Sequence, residues 1–325
     1  MHKVNSPFYI NWKCHLIGLF SAIFLLVSAQ ASAQLSYTKG QHIEPAYEGW
    51  RENEDGTFSF MFGYFNENWE EEPDIDVGDN NFFSPGERDR GQPTHFLPRR
   101  NRFTFDVVVP ADWGDRELVW TVTSPNGETR RAYATLAQDY IVDNVVIASE
   151  TGSLGAGTSS PESRANIPPK VTVLGDTVNG EHVRTVRVGE PLAIQALVED
   201  DGIPKARGSF FGNNEDGLKA RMLRKPFKIT VGKRNGLFMS WNVYRGPGNV
   251  SETVHFDPPQ VKPWEDTRAS ANSPWGSMWN PPPVPEDNIY PTDVTFDEPG
   301  TYLLWGRADD GGLYHDQYIT VNVLP

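Results

Sequence analysis

Apolar and polar residues alternate in short runs along most of the chain, and helical spacing is sustained nowhere for long. In Phe58-Ser59-Phe60-Met61-Phe62-Gly63-Tyr64 the rings of Phe58, Phe60, Phe62 and Tyr64 fall on one face of an extended strand. Residues 47–52 and 57–66 flank the turn sequence Asn53-Glu54-Asp55-Gly56, which predicts a hairpin. Residues 103–109 alternate again, and 117–123 and 128–136 flank Ser-Pro-Asn-Gly, a second hairpin signal. Further strands are predicted at 171–174, 184–188, 192–198, 237–244, 294–296, 302–308 and 317–323. The long stretch 68–102 reads as polar loop, its acidic run Glu70 to Glu72 and basic run Arg99, Arg100 and Arg102 expected to face water or pair with each other. With abundant Gly, Pro and aromatic residues, the pattern predicts an all-β chain.

Punctuation divides these strands. Residues 1–33 read as a secretory signal peptide, with Lys3 and Lys13 in front, an apolar run too short to span a membrane, and Ala31 and Ala33 as the small residues of a cleavage site. The mature chain is expected to start at Gln34. Cys14, the sole cysteine, lies inside the leader, so no disulfide, thiolate metal site or cysteine nucleophile is expected after processing. A β-sandwich domain is assigned to 34–147, a Gly/Ser/Pro linker without apolar periodicity to 148–169, and a second β-sandwich domain to 170–325. No later segment is apolar enough over sufficient length to cross a bilayer as a helix.

The second domain has the features of an immunoglobulin-like sandwich. Trp241 shares a strand face with Met239 and Val243, the place of a core tryptophan, and Tyr302 follows the Pro299-Gly300 turn by two residues, the place of a tyrosine corner. Two long loop insertions, 203–236 and 256–293, interrupt it. The stretches VGEPLAIQALVEDDGIP and FDEPGTYLLWGRADDGG resemble the paired strands of PKD-like and cadherin-like immunoglobulin-fold domains of secreted bacterial proteins. The first domain, with GYFNENWEEEPDIDVG and RGQPTHFLPRRNRF, resembles uncharacterised secreted bacterial proteins, and neither resemblance carries catalytic residues with it.

Charge narrows the partners. The chain carries 29 Lys+Arg against 43 Asp+Glu, and loss of the leader removes two lysines and no acids. Nucleic acid and anionic membranes are therefore not expected as partners. The insertion 203–236 reverses the sign, holding nine basic residues (among them Lys205, Arg207, Arg221 and Arg234) against Glu215 and Asp216.

Topology yields the sharpest candidate site. In an immunoglobulin-like sandwich the loops after the second and sixth strands share a pole. Both open here with Asp-Asp-Gly, so Asp200, Asp201, Asp309 and Asp310 are expected to converge facing the linker, which itself offers Glu162 and Asn166. Such carboxylates recruit a cation, calcium first, as the resemblance to cadherin-like repeats implies; otherwise they are solvated turns or are neutralised by the basic insertion. Asp74-Ile75-Asp76-Val77-Gly78-Asp79 has the look of a calcium loop but lacks the closing Glu.

In the Pro-rich loop, Trp264, Trp275 and Trp279 either present flat rings for sugar stacking or peptide capture, or anchor the loop on its own domain. No nucleophile elbow, His-Glu-x-x-His or phosphate loop is present, and His42, His95, His182, His255 and His315 lack ligand spacing. The expected protein is an exported, non-catalytic structural or adhesive one, periplasmic or extracellular, with a cell-surface or extracellular glycan or protein as partner. A carbohydrate-binding protein using loop 256–293 and an unrecognised hydrolase are the alternatives.

Overall fold

A computed structural model describes residues 39–151, 161–205, 235–260 and 283–325. The leader therefore lies outside the described residues, as do Trp264, Trp275, Trp279 and positions 206–234 of the basic insertion.

The N-terminal half forms six strands: β1 (Ile43–Glu52), β2 (Phe58–Asn66), β3 (Asn81–Ser84), β4 (Arg99–Val109), β5 (Leu118–Thr123) and β6 (Thr129–Ala134). They build two antiparallel sheets, β1-β2-β4 and β3-β5-β6. The alternation in β2 does what the sequence predicts: Phe60, Phe62 and Tyr64 are buried between the sheets with Phe83, Phe105 and Trp120. Phe62 stacks on Phe105 at 5.5 Å between centroids, and Phe83 on Trp120 at 5.8 Å.

Two features depart from the expected polar loop at 68–102. β3 lies within it, and β4 already begins at Arg99. Ile75, Phe83, Phe96 and Leu97 are buried there, and amides share the core with them: Asn81 accepts from the Trp120 indole at 2.9 Å and donates to the carbonyls of Ile75 and Pro93. Asn101 donates to the carbonyl of Leu97. Hydrogen-bonded asparagines occupy core positions without leaving a hydrophobic signature. The two charge runs also find other partners, Glu72 meeting His95 and Arg100 meeting Glu48.

The C-terminal half supplies β7 (Lys170–Val173), β8 (His182–Arg187), β9 (Leu192–Glu199), β10 (Phe238–Arg245), β11 (Val254–Asp257), β12 (Ile289–Phe296), β13 (Gly300–Asp309) and β14 (Tyr314–Leu324). One sheet runs β11-β12-β9-β7 and the other β10-β13-β14-β8, every pair antiparallel except β14 with β8. In immunoglobulin lettering this is D-E-B-A facing C-F-G-A′, so the C-terminal sandwich is immunoglobulin-like. β11 runs into the start of what reads as the second insertion, and β12 begins inside its end. Trp241 is fully buried, and the Tyr302 hydroxyl donates to the Glu298 carbonyl at 3.0 Å, which is a tyrosine corner. Trp241 lies opposite Gly306 in the β10–β13 register. A Cβ at Gly306 would stand 2.6 Å from the indole and 2.7 Å from Met239 Cε, so the core tryptophan needs that glycine.

Strand alternation would leave the other face of β13 to solvent, yet Trp305 is 1% exposed and Arg307 6% exposed. That face is covered by the N-terminal sandwich: Tyr244, Trp305, Leu303 and Tyr318 join the core cluster that contains Phe62 and Trp120. Residues Asn144–Thr151 and Pro161–Ala165, at the two ends of the stretch read as linker, are helical, and 152–160 lie outside the described residues. Ile147 and Ala148 bury against Met61, Phe103 and Leu313, tying the start of that stretch to both halves. Among the described residues no helix is long and apolar enough to cross a membrane.

Candidate functional site

The junction between the sandwiches is built around a bulge. Phe62 pairs with Phe105 and Tyr64 with Asn101, so Arg102, Phe103 and Thr104 stand opposite Gly63 alone. Gly63 is required there, since a Cβ would run into the Asn101 carbonyl and the Glu48 carboxylate. Bulges re-aim the strand that carries them. Here the bulge presents its carbonyls to Arg307, which donates to Phe103 O at 2.6 Å and to Arg102 O at 3.3 Å. The same guanidinium makes two bonds to Asp316, at 2.7 and 2.6 Å, and lies over the rings of Trp305 and Tyr314. Burial works against its charge, but Asp316 outweighs that cost and holds Arg307 protonated beyond the ordinary arginine range.

A second set of contacts closes the junction from β10. The Tyr244 carbonyl accepts from the amides of Thr94 and His95, and its hydroxyl donates to Gly91 O at 2.6 Å. Arg245 forks onto Asp89 at 2.7 and 3.0 Å and donates to Gln92 O. The Arg245 hydrogen bond holds the Asp89 carboxyl below its usual range, with partial burial opposing it.

His95 sits behind this contact, 3% exposed, with Nδ1 2.9 Å from Asp74 Oδ1 and Nε2 3.1 Å from Glu72 Oε2. Burial pulls its pKa down, but the hydrogen bonds and charges of Asp74 and Glu72 prevail and lift it to about 9. Asp74 also accepts from the Val250 amide at 3.3 Å, so the imidazolium is clamped where the halves meet. The motif from Asp74 to Asp79 is accordingly occupied as structure: Asp74 holds His95, Ile75 is buried, and Asp79 pairs with Arg88.

The four aspartates singled out in the sequence each close a turn. Asp200 Oδ2 accepts from the Gly202 amide at 2.9 Å, and Asp201 accepts from Ile203 at 2.8 Å and from Ile167 at 3.1 Å. Asp309 accepts from Gly311 at 2.7 Å, and Asp310 from Gly312 at 2.6 Å and Leu313 at 2.7 Å. The loops after β9 and β13 lie at one end of the sandwich: a Cβ on Gly312 would stand 2.8 Å from Asn166 Nδ2, 3.3 Å from Asp310 Oδ1 and 3.7 Å from Pro204 Cδ. Asn166 is buried there, and Asp310 is 1% exposed. Burial, reinforced by the neighbouring charge of Asp201 and offset by the Gly202 hydrogen bond, raises the Asp200 pKa.

Among the described residues, the histidine and carboxylate donors gathered within 4.8 Å of one another are His42, Glu44 and Glu67. His42 Nε2 lies 2.7 Å from Glu44 Oε1, and Nδ1 lies 3.8 Å from Glu67 and 3.7 Å from Glu128. Arg130 bridges Glu44 at 2.8 Å and Glu128 at 2.5 Å. The sequence pattern does not mark this group. His42 and Glu44 do have the i, i+2 spacing that puts two side chains on one face of a strand, but Glu67 and Glu128 arrive only through strand pairing.

No protein-family model matches the chain, and no curated protein matches it in sequence. Among solved structures, it is similar at 10% identity to the D00-D0 domain of intimin, covering 87% of this chain and 100% of that one with a TM-score of 0.23. It is similar at 11% identity to the Yersinia pseudotuberculosis adhesin InvE, covering 87% and 58% with a TM-score of 0.23. A nucleoside hydrolase-related hypothetical protein from Saccharophagus degradans shares 14% identity over 49% of this chain with a TM-score of 0.21, and the match spans only 26% of that protein's length.

Proposed function

We propose that this chain is an exported, non-catalytic structural or adhesive protein in which two β-sandwiches act as one stiff unit. The observation that carries the reading is the junction at Arg307: a buried ion pair that also binds the backbone of the facing sandwich, flanked by Trp305 and Tyr244 set into the other core. Domains of one chain move against each other unless their interface is extensive and well packed. Fixing their orientation this way suits a protein that spaces, presents or bears load.

In the finer form of this proposal the C-terminal sandwich works in the PKD or cadherin manner, with calcium held by Asp200, Asp201, Asp309 and Asp310. The support is twofold: their two loops share one end of the sandwich, beside buried Asn166, although no three of the four carboxylates gather within 4.8 Å of one another, and burial of the Asp200 carboxylate is unfavourable, which a cation would relieve. A cell-surface or extracellular glycan or protein is the partner class.

Thermal unfolding of the chain from Gln34 onward, in EDTA and then in millimolar calcium chloride, tests the finer form. A rise of several degrees that disappears in Asp310→Asn is the expected result, because an ion bound to the native state alone stabilises it. Coincident curves remove calcium from the proposal. The broader reading is tested separately by calorimetry, where a stiff pair melts in one transition and independent sandwiches in two. Turnover on a panel of glycoside, ester and nucleoside substrates would overturn the non-catalytic assignment.

A further inference from the structure

The outer face of the β3-β5-β6 sheet carries side chains that the core does not use. Phe83, Trp120, Ala132 and Ala134 point into the core, so alternation turns Phe82, Val119, Thr121, Arg131 and Tyr133 outward. Strand register sets them in two rows across the sheet: Phe82, Thr121 and Arg131 in one, Ser84, Val119 and Tyr133 in the next. Thr121 is 4% exposed between its flanking neighbours, whereas Tyr133 is 54% exposed. Arg88 lies over the Phe82 ring, 4.3 Å from its centroid.

Two independent features of this face indicate what it would meet. The first is charge. In a chain of 29 Lys+Arg and 43 Asp+Glu, the strands β3, β5 and β6 hold Arg130 and Arg131 and no carboxylate. Arg130 is engaged by Glu44 and Glu128, and Arg88 by Asp79. Arg131 is exposed and pairs with no acid among the described residues. Its planar fork fits a carboxylate. The second is shape. Tyr133 stands two residues from Arg131, about 7 Å along a paired strand, so ring and fork are held by the sheet itself. An exposed aromatic fixed in this way receives a flat apolar face at low entropic cost.

We propose that this face binds an acidic glycan, with a sugar ring stacked on Tyr133 and a uronate carboxylate held by Arg131. Ser84 and the paired hydroxyls of Thr123 and Thr129, 2.8 Å apart on the same face, offer hydrogen bonds to sugar hydroxyls. An acidic polypeptide would meet Arg131 but brings no hydroxyl-rimmed ring to Tyr133. The proposal narrows the partner class given above and rests on the exported, non-catalytic reading.

The experiment is calorimetric titration of the chain from Gln34 with oligomers of galacturonate, of alginate and of hyaluronan, with a neutral β-glucan oligomer and polyglutamate as comparisons. The expected result is binding of at least one uronate oligomer that weakens as salt rises, with much weaker binding of the neutral glucan and of polyglutamate. Tyr133→Ala and Arg131→Gln should each weaken binding at least about tenfold, and Tyr133→Phe should retain it. Both side chains are exposed, so none of these variants should shift the melting temperature. Lys170→Gln removes an exposed charge from the other sandwich and should leave binding unchanged. No binding of any uronate oligomer, equal binding of polyglutamate, or equal weakening by Lys170→Gln and Arg131→Gln overturns the proposal. Shortening of the oligomers during the titration would instead overturn the non-catalytic reading, whatever the affinity.

Discussion

Arg307 on β13 and Asp316 on β14 face each other in strand register and are joined by two hydrogen bonds of 2.7 and 2.6 Å beneath the N-terminal sandwich. Removing one member of such a buried pair strands the other's charge. Arg307→Ala should therefore cost about 3–5 kcal/mol in chemical denaturation. It also deprives the Phe103 carbonyl of its donor, so calorimetry should show the single transition broadening or splitting. The double variant Arg307→Met, Asp316→Leu leaves no orphaned charge and should recover most of the loss.

Gly306 is where the core tryptophan meets the adjacent strand. A Cβ there would lie 2.6 to 2.7 Å from Trp241 and Met239 atoms, so the close-packed indole would have to shift. Gly306→Ala should destabilise by about 1–3 kcal/mol, the range for overpacking, read as a lower urea midpoint at unchanged slope. Gly78→Ala, where the nearest atom is 4.0 Å away, is the matched control and should move stability by no more than about 0.5 kcal/mol.

These residues also mark what the sequence makes legible. Trp241 and Tyr302 are found from spacing alone, because their strands alternate cleanly and a turn fixes the register of Tyr302. The shared end of the loops after β9 and β13 follows from immunoglobulin topology. The junction is invisible by the same logic: Trp305 and Arg307 sit on the face of β13 that alternation assigns to water, and only docking buries them. β3 and the first residues of β4 leave little alternation because Asn81, beside Phe83, and Asn101 fill core positions through hydrogen bonds. His42, Glu44, Glu67 and Glu128 are drawn from three hairpin ends, so no local spacing announces them.

Tyr302 tests whether the corner contributes beyond its ring. Its hydroxyl donates to Glu298 O while the ring packs 4.6 Å from Phe296 between centroids. Tyr302→Phe keeps the packing and removes the donor, for an expected loss of about 0.5–1.5 kcal/mol. Tyr302→Ala removes both and should lose about 3–5 kcal/mol. Equal losses for the two variants would mean that the hydrogen bond, not the packing, holds the corner.

His95 predicts how the molecule responds to alkali. Its folded pKa of about 9 lies above the ordinary histidine value of about 6.5 that the unfolded chain shows. A raised folded pKa means that protonation favours the native state. The contribution is complete below about pH 6.5 and is lost as pH rises through about 9. Once the proton leaves, Glu72 and Asp74 face each other across a neutral ring, and Asp74 is also the acceptor for Val250 across the junction. The melting temperature should therefore fall between about pH 7 and 9.5. Burial raises the hydroxyl pKa values of Tyr64 and Tyr244 above the ordinary tyrosine range, so in the folded state these groups do not titrate in that window. His95→Gln carries no titrating group and should be less stable at pH 7 with a flatter profile up to pH 9.5. A variant whose alkaline loss matches that of the parent would place the titration elsewhere.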